Sequence, residues 1–161
     1  MRLSTKRRYA VMALVDLVVN SKGAPVPLAD IAERQNISLS YLEQLFGRLR
    51  RGELVRSVRG PGGGYLLQRG ADRTRIADAV LAVDENLRAT RCMPGTSLGC
   101  AKDRGRCVTH DLWEELGNHI YMFLSSVTIQ DVLDGQVLGA ARVRSSKPPA
   151  AALPSPVLKA L

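Results

Sequence analysis

Apolar residues recur at helical spacing along the start of the chain and predict a series of short helices. The first helix is expected from Ser4, a possible N-cap, to Val19, because its apolar residues share one face. A loop that contains glycine and proline ends this helix. A second, shorter helix is expected from Pro27 or Leu28 to about Gln35.

The third predicted helix, from Leu39 to Arg51, has one apolar face and one polar, basic face. The apolar face comprises Leu42, Leu45, Phe46 and Leu49. The residues expected to face outward are Ser40, Glu43, Gln44, Arg48 and Arg51, flanked by Tyr41. Because only the turn 36–38 separates this helix from the second, the pair predicts a helix-turn-helix. A helical hairpin with a solvated face would show the same pattern.

Two short apolar runs, 54–58 and 65–68, follow the third helix and predict a β-hairpin. The segment between them, 59–64, contains four glycines and a proline, residues that tolerate tight turns. Directly after a helix-turn-helix, such a hairpin is interpreted as a wing. It could place Arg59 in the minor groove, while glycine amides such as that of Gly60 approach phosphates. A phosphate-binding nucleotide loop is disfavoured, because no Lys-Ser/Thr pair follows the glycines.

The remaining pattern predicts a short helix over about 77–85, a long loop that contains all three cysteines, and a longer helix from about Val108 to Ser126. The apolar stripe of the longer helix comprises Leu112, Leu116, Ile120, Phe123, Leu124 and Val127, with Trp113 nearby. Such a stripe either packs on its own domain or pairs with a second subunit, and we favour pairing. Thr128 and Asp131 resemble a capping box for a last short helix through Leu133.

The predicted architecture is mainly α with a small β-hairpin wing: a winged helix-turn-helix domain plus a long dimerisation helix. The expected parts are a DNA-binding domain over 1–85, a metal-binding loop over 86–109, a dimerisation helix with a short last helix over 108–135, and a disordered tail over 136–161.

The net charge of +8 arises in the first half of the chain. Residues 1–75 hold fourteen Lys and Arg against six Asp and Glu, so nine of each (23 − 14 and 15 − 6) remain in residues 76–161. A basic half points to a polyanion such as double-stranded DNA, although a solvated basic surface would have the same composition. No long apolar run or secretory leader is evident, so we expect a cytoplasmic protein without membrane contact.

Three cysteines and a histidine form a candidate metal site: Cys92, Cys100, Cys107 and His110. The gaps are seven, six and two residues. Cytoplasmic thiols stay reduced, which favours metal or redox chemistry over disulfides. Three thiolates and an imidazole suit either zinc or an iron-sulfur cluster. The absence of C-x2-C pairs lowers the expectation of zinc without excluding it.

Other readings explain less of the sequence. His119 is interpreted as a surface or interface residue. An electron carrier would account for the cysteines but not for the basic half or the wing. No nucleophile and base are arranged as in an enzyme, so we expect no catalytic activity.

Several long runs of the sequence are recognisable and resemble the iron-sulfur cluster regulators, a branch of a wider family of winged-helix bacterial repressors. The resemblance covers roughly residues 1–135. The matching runs are Met1-Arg2-Leu3, Arg8-Tyr9-Ala10, 26–31 (Val-Pro-Leu-Ala-Asp-Ile), 37–46 (Ile-Ser-Leu-Ser-Tyr-Leu-Glu-Gln-Leu-Phe), 57–67 (Ser-Val-Arg-Gly-Pro-Gly-Gly-Gly-Tyr-Leu-Leu) and 82–85 (Ala-Val-Asp-Glu).

The resemblance implies a homodimer that holds one [2Fe-2S] cluster per subunit through Cys92, Cys100, Cys107 and His110, loaded by iron-sulfur assembly machinery. It also implies regulation of cluster-biogenesis genes. The gaps between the cysteines are longer here than is usual in the family. A nitric-oxide-sensing branch resembles the chain in its cysteines, but its [4Fe-4S] cluster takes an acidic ligand from the first helix, where this chain has Arg8.

The expected DNA contacts lie on the third helix and the wing. They are Ser38, Ser40, Tyr41, Glu43, Gln44, Arg48, Arg59 and Gly60. Gln44 can pair with an adenine edge, and Glu43 can accept from a cytosine amino group. The resemblance implies that the acidic residue at Glu43 discriminates between two operator classes and that cluster binding relieves its unfavourable effect.

Overall fold

The computed structural model of the chain describes residues 4–83, Gly99 and residues 105–137. Three helices come first, followed by a hairpin, a 3-10 turn and three further helices. The elements are α1 (Thr5–Ser21), α2 (Leu28–Gln35), α3 (Leu39–Arg51), β1 (Val55–Val58), β2 (Gly64–Leu67), the 3-10 turn Ala71–Arg73, α4 (Ile76–Val83), α5 (His110–Ser126) and α6 (Ile129–Leu133). The predicted fold class, mainly helical with a small hairpin, is confirmed, and the described ends of the predicted elements agree with the prediction to within two residues.

Helix α1 lies at the centre of the described structure. It packs against α2, α3, α4, α6 and β2. Ala10, Ala13, Leu14 and Leu17 are fully buried on it, which explains why apolar residues recur there at helical spacing. Ser4 occupies its N-cap position without the predicted side-chain capping hydrogen bond. The stability of α1 therefore comes from packing.

A buried carboxylate fastens α2 to α1. Asp16 is only 6% exposed. Arg34 donates to it from Nη2 at 2.7 Å and from Nε at 3.1 Å, and Gln35 Nε2 donates at 2.7 Å. Burial alone would raise the pKa of Asp16, but the hydrogen bonds from Arg34 and Gln35 outweigh it and lower the pKa below its ordinary value of 3.8. The charged carboxylate is thus the form that holds α2 in place.

Two backbone hydrogen bonds attach the junction of α5 and α6 to the segment before α4. The Ile76 amide donates to Val127 O and the Ile129 amide to Thr74 O, both at 2.9 Å. The capping box at Thr128 and Asp131 is confirmed: Thr128 Oγ1 accepts from the Asp131 amide at 3.1 Å, and the Asp131 carboxylate accepts from the Thr128 amide at 2.8 Å. The C-terminal end of α5 is therefore held to the rest of the chain by main-chain atoms.

The apolar stripe of α5 is only partly buried within the chain. Val127, at its end, is buried, and Leu124 packs against the core. Further toward the start of α5, Leu112 is 63% exposed and Phe123 is 53% exposed, and Trp113 and Leu116 are also exposed. Most of the stripe thus remains uncovered in the single chain.

Several predicted segments fall outside the described residues. They include residues 1–3, the end of the first predicted domain at 84–85, most of the loop 86–109, and the tail beyond 137. Within the described ranges, no helix combines the length and apolar character needed to cross a bilayer.

Replacing Asp16 with Asn should lower the free energy of unfolding by about 1–3 kcal/mol at pH 7, because Arg34 and Gln35 then face an uncharged amide. The pKa of folded Asp16 lies below 3.8, so this stabilisation is present above about pH 4 and is lost as the pH falls through the lowered pKa. In urea unfolding, the difference in free energy of unfolding between the parent protein and Asp16→Asn should shrink over that acidic range. Glu33→Gln, an exposed change on α2, the helix that carries Arg34 and Gln35, is the control and should have little effect.

Candidate DNA-binding surface and metal centre

The turn between α2 and α3 has the geometry that the sequence predicts. Asn36 adopts a left-handed conformation (φ 51°, ψ 48°), and its amide donates to carbonyls at the end of α2. Ile37 is buried and its amide donates to Ala32 O at 3.0 Å. Because the turn is pinned by both contacts, α3 leaves it in a defined direction.

Helix α3 presents one fully buried face and one exposed polar face. The buried residues are Leu42, Leu45, Phe46 and Leu49. Ser40, Glu43 and Gln44 are exposed on the opposite face. Ser38 precedes the helix, is exposed, and does not use its hydroxyl to cap α3. These polar groups are therefore available to a partner.

Two of the predicted DNA-contact residues on α3 also make contacts within the chain. Tyr41 is half-buried, and its ring packs edge-on against Tyr9 of α1 with centroids 6.0 Å apart. Arg48 Nη1 donates to Val83 O at 2.7 Å, which the sequence pattern did not predict. Arg48 is exposed overall, but its guanidinium is already attached to the end of α4.

The hairpin docks on the rest of the chain through its second strand. Tyr65 and Val26 exchange two backbone hydrogen bonds, at 2.9 and 3.0 Å, and the Tyr65 ring packs against Phe46 of α3 with centroids 4.9 Å apart. At Gly64, a Cβ atom would overlap the backbone of Val26 and Pro27. The glycine thus permits a close approach, which fixes the wing beside α3.

The tip of the wing is exposed, and two of its glycines have positive φ angles. Gly60 and Gly62 have φ of 105° and 72°, and the Gly63 amide closes the turn onto Gly60 O at 2.9 Å. Arg59 and Gly60 are both exposed. The wing therefore presents a cation and open backbone at its far end.

At the start of α5, the structure shows the second half of the predicted metal site. Cys107 is half-exposed, with Sγ 3.6 Å from Thr109 Oγ1, and the His110 amide donates to Cys107 O at 2.9 Å. Cys92 and Cys100 lie outside the described residues, so only this pair can be placed. The turn that leads into α5 joins the backbones of these two residues.

The surroundings of His110 suit a metal ligand. His110 is 5% exposed, and neither ring nitrogen makes a hydrogen bond within the described part of the chain. Buried imidazoles without partners are costly unless another group engages them. Gly99, which precedes Cys100 in the sequence, lies so close to the backbone of Gly105 and Arg106 that a Cβ would overlap it. This contact places Gly99 beside the residues that come shortly before Cys107, and soft thiolate and imidazole ligands fit an iron-sulfur group.

Acidic residues of α5 flank this histidine. Glu114 Oε2 lies 3.3 Å from His110 Nε2, without hydrogen-bond alignment, and Asp111 is also close enough to share a cation with both. Such clusters are common on surfaces, and this one overlaps the predicted ligand His110. His119 is exposed on the same helix, as predicted, with Nδ1 3.0 Å from Glu115 O.

The helix-turn-helix, the exposed face of α3 and the docked wing define a winged-helix DNA-binding protein. The family model Rrf2, described as an iron-dependent transcriptional regulator, matches residues 3–135. The chain belongs to the Rrf2 family of transcriptional regulators. The named relatives are regulators and not enzymes, in keeping with the sequence-based expectation.

Relatives within this family are similar to the chain over most of its length. The HTH-type transcriptional regulator IscR of Photorhabdus laumondii is 53% identical over 136 residues, which cover 84% of this chain and 81% of the relative. The IscR of Escherichia coli O1:K1 is 50% identical over 136 residues, covering 84% and 82%. Among solved structures, T. potens IscR is 35% identical with a TM-score of 0.68, covering 84% and 88%. CymR, described as the global cysteine regulator of B. subtilis, is 27% identical with a TM-score of 0.68, covering 84% and 98%.

The sequence pattern placed the exposed residues of α3 correctly but missed the contacts that position them. The pairing of Val26 with Tyr65 has no periodic signal, because an isolated bridge needs only one residue on each side. The single acidic residue Asp16 within an apolar helical face was the one visible sign of the buried ion pair.

Proposed function

We propose that this chain is a transcriptional regulator that reads double-stranded DNA operators with α3 and the wing and whose site preference is set by a bound [2Fe-2S] cluster. The observation that supports it most strongly is the exposed polar face of α3, which stands opposite a fully buried face and beside a docked wing. The resemblance to the iron-sulfur cluster regulators makes the genes of iron-sulfur cluster biogenesis the proposed targets.

Sequence readout would come from the first turns of α3. Gln44 can make paired hydrogen bonds to an adenine edge, and the hydroxyls of Ser38 and Ser40 can contact bases or phosphates. Glu43 can accept from a cytosine amino group, and at other sites its charge opposes the DNA. Tyr41, partly covered by Tyr9, would contribute from the margin of this surface.

The wing would add contacts in the minor groove. The cation of Arg59 favours the negative potential of a narrow groove, and the open backbone at Gly60 can approach a phosphate. The close docking at Gly64 would keep both at a fixed distance from α3. Together, α3 and the wing would thus contact a major groove and the neighbouring minor groove.

Gln44→Ala should weaken binding by about 1–3 kcal/mol, and mostly at particular base pairs. Glu43→Ala should instead relax selectivity between operator classes in the cluster-free protein, because it removes a repulsive element. Both are measured by titration against duplexes selected from a randomised pool. An equal weakening on all DNA by Gln44→Ala, or unchanged selectivity in Glu43→Ala, would contradict direct readout.

The metal group would be held by Cys92, Cys100, Cys107 and His110. The ring nitrogens of His110, which are buried and make no hydrogen bond within the described residues, support this assignment. When bound, the cluster supplies a centre that responds to oxidants and to iron supply. Within the chain, the hydrogen bond from the His110 amide to Cys107 O would keep these two residues close together, and burial of His110 shields its ring from water. Assembly machinery for iron-sulfur clusters would be the donor.

Anaerobic purification should give a brown protein with about two iron and about two sulfide atoms per chain. His110→Ala should alter or abolish its visible absorption, since a ligand is lost, and Cys92→Ser should abolish it. The matched control is His119→Ala, an exposed histidine of the same helix, which should retain the spectrum.

Three results would contradict this cluster assignment. A colourless, zinc-loaded protein would indicate a zinc-stabilised regulator. About four iron atoms per chain, with a spectrum that is insensitive to His110→Ala, would indicate the nitric-oxide-sensing type. Equal losses of visible absorption in His110→Ala and His119→Ala would show that His110 has no role in the cluster site that His119 lacks.

The exposed part of the α5 stripe would be covered by a second copy of the chain. One contiguous face of α5 is apolar and exposed, and a monomer in water rarely exposes such a face. The residues of this face are Leu112, Trp113, Leu116 and Phe123. A groove of about 390 Å³ between α1, α4 and α5, lined in part by Val11 and Leu124, adjoins the same helix. A dimer would also place two copies of α3 on one operator.

Leu112→Glu should convert a dimer to a monomer, because the introduced charge would be buried at the interface. Its exposed position means that the single chain should still fold. The control, Asn118→Glu, adds the same charge at an exposed polar position of α5 and should stay dimeric. Analytical ultracentrifugation distinguishes the two, and a monomeric parent protein would refute the proposal.

A further inference from the structure

The C-terminal part of helix α3 is attached to α4 by a side-chain contact of Arg48. Arg48 Nη1 donates to Val83 O at 2.7 Å. Val83 is the last residue of α4 that the structure describes, and its carbonyl accepts this bond in addition to any bond within the helix. The guanidinium therefore ties the two helix ends together with a charge-assisted hydrogen bond.

A second contact brings the same two helix ends close together. A Cβ atom built on Gly52, the residue that ends α3, would lie 3.0 Å from the Ala82 Cβ. Even a methyl group would require the helices to move apart by a few tenths of an ångström. The Gly52 backbone has φ of −81°, so its conformation does not require glycine. The close approach to Ala82 is what favours glycine here.

Helix α4 lies between the DNA-reading helix and the helix that begins at the proposed ligand His110. It packs against α3 on one side and against α5 on the other. In the sequence, the segment that follows Val83 leads to Cys92. A displacement of the end of α4 would thus be transmitted to α3 through Arg48.

We propose that Arg48 is a positioning residue that couples the metal centre to DNA selection by fixing α3 to the end of α4, and that it is not primarily a phosphate contact. This inference rests on the proposed cluster control of DNA binding. It assigns to Arg48 a different role from the direct DNA contact expected from its exposed place on α3. Glu43 and Gln44, on the same helix, are the groups whose placement it would adjust.

The test compares Arg48→Gln with Arg51→Gln in the full-length protein. Both variants remove one positive charge from the exposed side of α3, but only the first removes the bond to Val83. Affinity is measured for cluster-free and cluster-loaded protein on duplexes selected by the parent protein. In Arg48→Gln, the ratio of these affinities should fall by about 3- to 10-fold, as expected for one lost hydrogen bond. In Arg51→Gln the ratio should stay as in the parent.

The salt dependence of DNA binding separates coupling from phosphate contact. If Arg48 neutralises a phosphate, Arg48→Gln weakens both forms equally and reduces the slope of log affinity against log salt by about one. That result would overturn the inference. If the parent protein shows the same preference among DNA sites with and without its cluster, the proposed cluster control is wrong, whatever the effect of Arg48→Gln.

Hydrogen exchange of the cluster-free protein gives a readout that needs no metal. Arg48→Gln should speed exchange in the peptide 76–83 several-fold relative to Arg51→Gln, because α4 loses its terminal attachment. Gly52→Ala provides a second variant that retains Arg48 and spreads the same helix ends. It should lower the affinity ratio as well. Unchanged exchange in Arg48→Gln, or an unchanged ratio in both Arg48→Gln and Gly52→Ala, would overturn the inference.

Discussion

Burial of one face of α3 is the interaction on which the DNA-reading surface depends. Leu42, Phe46 and Leu49 are fully enclosed, so the helix cannot rotate about its axis without exposing them to water. This fixed orientation about the helix axis determines which side chains of α3 face outward. The polar face of α3 is therefore defined by the core beneath it, and the exposed residues themselves add little to its orientation.

Main-chain hydrogen bonds attach the two peripheral elements to this core. The wing is joined at Val26 and Tyr65, and the end of α5 is joined at Thr74 and Ile76. Side-chain bonds act elsewhere: Asp16 holds α2, and Arg48 holds the end of α4. The polar attachment of α3 to α4 can thus be removed by a single side-chain substitution, whereas the hairpin is linked by backbone pairing that does not depend on side chains.

The sequence predicted the helices and the hairpin well, because each has an apolar face with its own period. It also predicted the capping box at Thr128, since that motif is local. It did not predict the contacts between Arg48 and Val83 or between Gly52 and Ala82. Those pairs are distant in sequence and leave no periodic trace. For the metal site, local spacing indicated that Cys107 and His110 lie together, but the burial of His110 emerged only from the fold.

The backbone attachment of α5 has a consequence for how such regulators diverge. Because Val127 and Ile129 hold the helix end through main-chain atoms, the exposed side chains from Leu112 to Phe123 are not needed to keep α5 in place. They can change during evolution without detaching the helix. In the proposed dimer, duplicated copies of such a gene could therefore acquire mutually incompatible surfaces on α5 while retaining one fold, and several paralogues could share a cell without forming mixed dimers.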